Sequence, residues 1–95
     1  MAWTVRVQDE SGKPVSDDFD IGFDEIPSGP QYPICSSVAR YYNTWLNPDQ
    51  LRTFMSEWDK AVHTPEFSYL RDKRTIRDIA EKTEKQQLYL RFVGD

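Results

Sequence analysis

The sequence predicts a single α+β domain over residues 1–95, and two patterns in it support that fold class. Apolar and polar residues alternate near both ends of the chain, which is the period of a strand with one buried face. In the middle, apolar residues recur at offsets of three and four, the period of an amphipathic helix. A length of 95 residues suits one hydrophobic core. We therefore expect a small antiparallel or mixed sheet packed against two or three helices.

Strands are predicted where this alternation is clearest, near residues 3–8, 18–24 and 87–93. In the first of them Trp3, Val5 and Val7 alternate with polar side chains. Gly12 and Pro14 then mark a turn, because these residue types favour the backbone angles of turns. The first two strands should therefore form a hairpin, and the last should join the same sheet.

Helices are predicted near residues 34–45, 48–62 and 74–84. The second has the clearest start, with Asn47 as its cap, Pro48 at the first helical position and Gln50 placed to complete a capping box. Its apolar stripe includes Trp58, which we expect in the core, whereas Glu57 should face water.

Residues 34–46 are compatible with two structures. Their apolar residues fit a helical stripe, while their β-branched and aromatic content suits a strand. We favour a short helix, with Trp45 in the core. Of the adjacent Tyr41 and Tyr42, at least one should be exposed, because neighbouring residues point in different directions on any regular element.

The charge of the chain restricts its partners. Sixteen acidic side chains against twelve basic ones give a net charge of −4, which argues against general nucleic-acid binding. Residues 1–33 are the acidic part, with seven acids and two bases. There is no apolar run long enough to cross a bilayer and no signal-like start, and the single cysteine excludes an internal disulfide. We expect a cytoplasmic protein that does not bind membranes.

The residue types needed for catalysis or metal binding are scarce. The chain has one cysteine, Cys35, and one histidine, His63, too few for a zinc site and unsupported as a catalytic dyad. Asp18, Asp20 and Asp24 lack the glycine offset and closing glutamate of a calcium loop. The glycines are too widely spaced for a nucleotide fingerprint. We therefore expect no catalytic residue, no metal and no cofactor.

A recognition surface is the functional feature that the sequence favours. Asp18, Asp20 and Asp24, which share the outer face of the predicted second strand, would give the surface negative charge, and the nearby aromatic residues would give it contact area. Core packing is the rival explanation for the aromatic residues, and a solvated surface is the rival explanation for the acids. The predicted partner-binding residues are Asp17, Asp18, Asp20, Asp24, Glu25, Tyr41 and Tyr42.

Two segments carry a resemblance to known proteins. The ending from Leu88 to Asp95 (LYLRFVGD), together with the segment from Trp45 to Leu51 (WLNPDQL), resembles small uncharacterised bacterial proteins that end in Tyr-Leu-x-Phe-Val-Gly-Asp. That resemblance implies no assigned activity. In general character the chain is also similar to bacterial toxin-immunity proteins, which are short, acidic and α+β. This second resemblance implies an acidic surface that blocks the basic site of a toxin.

These observations lead to a ranked set of hypotheses. The first is a non-enzymatic binding or inhibitor protein, such as an immunity protein, that contacts a basic protein partner through its acidic and aromatic surface. The alternatives are a phage-type nucleic-acid mimic or regulatory protein, a homodimeric structural module, and a small enzyme that uses a carboxylate or Cys35.

Overall fold

A computed structural model describes residues 2–40 and 43–94 of the chain. In this part the strands are β1 (Ala2–Gln8), β2 (Phe19–Gly22), β3 (Asn43–Leu46) and β4 (Tyr89–Gly94). The α-helices are α1 (Pro33–Arg40), α2 (Pro48–Ala61) and α3 (Thr75–Lys85). Two 3-10 helices span Phe23–Glu25 and Pro65–Asp72.

The described strands form one antiparallel sheet in the order β2-β1-β4-β3. The α+β class is thereby confirmed, as is the hairpin, in which Val5 of β1 lies opposite Phe19 of β2. Gly12 in the connecting turn has a φ of 90°, which glycine adopts without strain. The first and last strands of the chain lie side by side in the centre of the sheet, and the two shortest strands form its edges.

The helix predicted through residue 45 is wrong in its second half. Helix α1 ends at Arg40, and Asn43–Leu46 forms the edge strand β3. The alternation within β3 explains the difference, since Leu46 is buried while Trp45 faces solvent. Pairing with β4 places Leu46 opposite Leu90, so a short strand here adds to the core.

Two further boundaries differ from the prediction. The second strand stops at Gly22 rather than near residue 24, because the chain turns into the Phe23–Glu25 helix, where a Glu25 carboxylate oxygen accepts a hydrogen bond from the Gly22 N–H at 2.7 Å. The 3-10 helix Pro65–Asp72 was not expected from the sequence. The predicted start of α2 is confirmed: Asn47 Oδ1 accepts from the Gln50 N–H at 2.8 Å, and Gln50 Oε1 accepts from the Asn47 N–H at 2.9 Å.

The core lies between one face of the sheet and the helices. The sheet contributes the inward members of its alternating residues, which are Trp3, Val5, Ile21, Leu46, Leu90 and Phe92. At the centre of the helical layer Trp58 is fully buried, its Nε1–H donates to the Glu25 carbonyl oxygen at 3.3 Å, and the Arg74 guanidinium lies 5.4 Å from its ring centroid. Trp58 therefore connects α2 to the 3-10 helix Phe23–Glu25 and to the residue that precedes α3.

The opposite face of the sheet has no helix over it in the described part of the chain. We call this the outer face, and it consists of Thr4, Arg6, Asp20, Asn43, Trp45, Tyr89, Arg91 and Val93. None of these side chains belongs to the hydrophobic core. The fold is thus two layers, with solvent on the outer face.

Helices α1 and α2 are joined through Glu57, whose expected exposure to water is wrong. Glu57 is only 7% exposed. Its carboxylate oxygens accept hydrogen bonds from the Ile34 N–H at 3.1 Å and the Cys35 N–H at 2.9 Å. These N–H groups belong to the first turn of α1, where no carbonyl within the helix can accept them. The carboxylate of α2 therefore caps α1, and its charge is favourable at that end of the helix dipole.

Helices α2 and α3 are joined by an arginine. The Arg77 Nε and Nη2 atoms each donate to a different oxygen of Asp59, both at 2.9 Å. The Nη1 atom lies 3.2 Å from the sulfur of Met55. In this two-point contact Arg77 is 14% exposed and Asp59 is 48% exposed, and the paired geometry holds the two helices side by side.

Replacing Trp58 should strongly destabilise the domain. We expect Trp58→Ala to lower the free energy of unfolding by roughly 3–5 kcal/mol, because the change removes a buried ring and leaves a cavity. The matched control is Trp45→Ala, which removes an exposed ring and should cost less than about 1 kcal/mol. Urea denaturation measures both. Equal losses in the two variants would contradict the burial assigned to Trp58.

Removing the carboxylate of Glu57 should also destabilise the domain. Glu57→Ala leaves the Ile34 and Cys35 N–H groups without their acceptors, at a cost of about 1–3 kcal/mol for each group that stays buried and unpaired. Glu57→Gln retains one acceptor oxygen and should cost less. In urea denaturation, a Glu57→Ala variant as stable as an exposed-site control, Glu66→Ala, would rule out the capping role.

Candidate functional site

A row of polar and aromatic side chains crosses the outer face from one edge to the other. Arg6 of β1 lies opposite Arg91 of β4, and Arg91 lies opposite Trp45 of β3. At the other end, Arg6 Nε and Nη2 donate to the two carboxylate oxygens of Asp18, each at 2.8 Å. The row therefore runs Asp18, Arg6, Arg91, Trp45: antiparallel register aligns the three residues from β1, β4 and β3. The ion pair with Arg6 adds Asp18, which directly precedes β2.

Trp45 is the most prominent member of this row. It is 49% exposed, so its predicted place in the core is wrong. The Arg91 guanidinium lies over its ring, 5.0 Å from the centroid, and Arg91 Nε donates to Asn43 Oδ1 at 3.0 Å. A stacked guanidinium that is also hydrogen-bonded has little freedom, so the pair presents a rigid, partly apolar surface to solvent.

Beside Trp45 a groove of about 320 Å³ opens at the end of the sheet. Trp45, Tyr89 and Arg91 line it together with Gln8 and the turn formed by residues 9–12. Gln8 is only 4% exposed, and its Oε1 atom has no hydrogen-bond donor among the residues that the structure describes. A buried amide oxygen without a donor costs stability, roughly 1–3 kcal/mol, unless something outside the chain supplies one.

The carboxylate of Asp9 is held in a fixed orientation at the rim of this groove. Its Oδ1 atom accepts hydrogen bonds from the Ser11 N–H at 3.0 Å, the Ser11 hydroxyl at 2.6 Å and the Lys13 N–H at 2.9 Å. The Ser11 hydrogen bonds lower the pKa of Asp9, with a further contribution from Lys13. Asp9 is therefore ionised at neutral pH.

The acidic residues predicted to bind a partner are divided between two sides of the molecule. Asp18 and Asp20 lie at the β2 edge of the outer face, where Asp20 Oδ1 accepts from the Thr4 hydroxyl at 3.1 Å. Asp24 and Glu25 belong to the 3-10 helix after β2. The expectation that Asp24 shares a strand face with Asp18 and Asp20 is thus wrong.

Asp24 is instead engaged with the helical layer. Its carboxylate pairs with Lys73, and its carbonyl oxygen accepts a hydrogen bond from the Tyr69 hydroxyl at 2.7 Å. The hydrogen bond from Lys73 lowers the pKa of Asp24. Asp17 lies exposed in the loop before β2. Tyr41 and Tyr42 lie outside the described residues, so their role stays a prediction.

The residues considered for catalysis are poorly placed for it. Cys35 lies in the first turn of α1 and is fully buried. Burial, and secondarily the charge of Glu57, raises the pKa of its thiol, which disfavours the thiolate needed for nucleophilic attack. His63 is exposed just after α2. The described residues hold no cluster of three or more His, Cys, Asp or Glu side chains that could bind a metal.

Sequence reasoning missed the groove residues Gln8, Trp45, Tyr89 and Arg91. Part of the signal was present, because the alternation that points Leu90 and Phe92 inward also points Tyr89 and Arg91 outward. Trp45 could have been found by the same alternation had residues 43–46 been assigned as a strand. No sequence pattern places the turn after β1 next to β3.

Comparison with protein-family models, with curated proteins and with solved structures finds no match to this chain. The resemblances in the sequence therefore stay predictions. Within residues 2–40 and 43–94, no helix combines the length and apolar character that crossing a membrane requires.

The pairing of Asp18 with Arg6 should be visible in the pH dependence of stability. Hydrogen bonds from Arg6 lower the pKa of Asp18 below its ordinary value of 3.8. Because the folded-state pKa is the lower one, the pair stabilises the fold above pH 3.8 and loses this effect as the pH falls through the folded value. Carbon-detected NMR should place the Asp18 midpoint below 3.8, and Arg6→Gln should raise it.

Asp9 provides an internal control for this titration. Its pKa is lowered by Ser11 and Lys13 rather than by Arg6, so Arg6→Gln should leave its midpoint unchanged. The ion pair would be contradicted if Asp18 titrated at its ordinary value in the wild type, or if Arg6→Gln left its titration midpoint unchanged.

Proposed function

We propose that this chain is a non-enzymatic binding protein of the inhibitor type, and that it captures a protein partner on the outer face of its sheet. In its most specific form, the proposal is an immunity protein that neutralises a toxin. The partner would be a basic protein, consistent with the net charge of −4.

The observation that carries the proposal is the exposed Trp45 with Arg91 stacked on it. Tryptophan, tyrosine and arginine are the residue types most enriched at the energetic centres of protein interfaces. On the outer face all three occur together at Trp45, Tyr89 and Arg91, fixed by strand pairing. Such a rigid aromatic surface loses little conformational entropy on binding.

Charge on the outer face further favours a protein partner over the mimicry of nucleic acid. A mimic needs a run of unopposed acids that imitates phosphates. Here Asp18 is neutralised by Arg6, and Arg91 lies next in the row. A face that carries both signs of charge suits a protein surface of complementary pattern, where the charges set the register of docking.

The burial of Cys35 supports a non-enzymatic role over thiol catalysis. Its thiol is enclosed between α1 and α2, 3.8 Å from the Phe54 carbonyl oxygen, and its raised pKa keeps it protonated. These features are those of a structural cysteine.

Partner capture from the native host, with neighbouring gene products co-expressed, tests the proposal. The bait proteins are the wild type, Trp45→Ala, Asp18→Lys and a control, Glu66→Lys. We expect the wild type to retain one stoichiometric, salt-sensitive partner and Trp45→Ala to weaken retention at least about tenfold, as loss of a central aromatic residue usually does. Asp18→Lys should weaken it less, because rim charges act mainly on association rate.

The control separates the surface from net charge. Glu66→Lys changes the charge by the same amount as Asp18→Lys but lies on the Pro65–Asp72 helix, in the other layer. Equal retention by wild type and Trp45→Ala would reject the outer face as the binding surface. If the wild-type protein retains no partner and its molecular mass in solution halves on dilution, the homodimeric alternative is favoured.

A further inference from the structure

We infer that the groove beside Trp45 receives an arginine side chain of the bound partner. The groove lies at the end of the outer face and is lined by Gln8, the turn of residues 9–12, Trp45, Tyr89 and Arg91. This inference rests on the proposed function, since the arginine would belong to the captured protein. It is carried by unused hydrogen-bond acceptors, aromatic walls and the local charge.

Two acceptor oxygens on consecutive residues that line the groove have no donor within the described part of the chain. The Oε1 atom of Gln8 is buried and has no donor within the described part of the chain. All three hydrogen bonds to the Asp9 carboxylate go to Oδ1, so none of the recorded bonds uses Oδ2. The turn therefore fixes a carboxylate whose second oxygen remains an acceptor. An incoming cation can donate to Asp9 Oδ2 directly, and it can donate to the Gln8 oxygen once the Gln8 side-chain amide rotates toward the groove.

The walls of the groove suit a flat cation. Trp45 and Tyr89 are aromatic, and aromatic faces attract guanidinium groups. The ionised groups lining it are Asp9 and Glu10 against Arg91, which leaves an excess of one negative charge. Arg91 is held against Trp45 and Asn43, at the side of the groove that belongs to β3. An incoming cation is therefore attracted on balance, and an anion is repelled.

An arginine satisfies this arrangement better than a lysine. Its planar fork carries several N–H donors, so one can donate to Asp9 Oδ2 while another donates to the Gln8 oxygen after the amide has rotated. Its flat face can also lie against an aromatic ring. A lysine ammonium offers the charge without the planar geometry.

The test is an NMR titration of the isotopically labelled chain with N-acetyl-arginine-N-methylamide as the probe. Saturable shifts should appear at the Trp45 indole N–H, the Gln8 side-chain amide and Gly12, and not at the indoles of the buried Trp3 and Trp58. The uncharged analogue N-acetyl-citrulline-N-methylamide should bind at least about tenfold more weakly, because it lacks the charge-assisted hydrogen bonds. The lysine analogue should bind more weakly than the arginine probe.

Variants of the chain identify the acceptors. Asp9→Asn retains an oxygen for the Ser11 and Lys13 N–H groups but removes the charge and the free carboxylate oxygen, so it should weaken arginine binding severalfold. Asp72→Asn is the matched control on an exposed site of the helical layer and should have no effect. Gln8→Met removes the amide acceptor at similar volume and should also weaken binding. The inference is overturned by equal binding of the citrulline probe, by shifts absent from the groove, or by Asp9→Asn binding as tightly as wild type.

The outcomes separate this inference from the proposed function. If Trp45→Ala abolishes partner capture while the arginine probe does not bind, the inference fails and the proposed surface stands. If the probe binds in the groove while Trp45→Ala still captures the partner, the proposed surface fails and the groove remains a guanidinium site.

Discussion

The one-sided covering of the sheet is the constraint from which the rest of this structure follows. Each strand directs its core side chains to the same face, so burying that face satisfies most of the hydrophobic requirement of the sheet. The three described α-helices and the 3-10 helix Pro65–Asp72 all supply residues to that single core. The opposite face stays in contact with water. The side chains that alternate with the core residues of each strand lie on it. The exposed row from Asp18 to Trp45 is a consequence of this alternation.

Polar contacts within the helical layer keep that covering in place. Three short helices could pack on the sheet in many ways, because apolar contact is not directional. The carboxylate of Glu57 removes this freedom by accepting two N–H groups at the start of α1, and Arg77 joins α2 to α3 through Asp59. The indole N–H of Trp58 ties the loop after β2 to the same layer. Directional contacts thus fix an arrangement that the hydrophobic effect stabilises.

Local patterns were sufficient to predict some elements and not others. The start of α2 was predictable because Asn47, Pro48 and Gln50 act within one turn. The burial of Glu57 was not, since its partners on α1 are more than twenty residues away in the chain. Strand β3 was missed because a four-residue strand has too few alternations to outweigh a helical stripe.

The same distinction applies to the candidate site. Asp20 was correctly expected on the outer face of the second strand, from its alternation with Phe19 and Ile21, whereas Asp18 precedes β2 and joins that face through its ion pair with Arg6. The ion pair of Asp24 with Lys73 joins residues 49 positions apart, which no local pattern reveals. The groove beside Trp45 likewise requires the pairing of β3 with β4 and the position of the turn after β1. Only tertiary structure brings those segments together.

Hydroxyl-radical footprinting of the three tryptophans tests the open outer face most directly. The account predicts rapid oxidation of Trp45 and strong protection of Trp3 and Trp58, at both low and high protein concentration, because only the ring of Trp45 lies on the uncovered side of the sheet. Protection of Trp45 equal to that of Trp58 would contradict the account, since it would mean that the chain itself or a second copy covers the outer face.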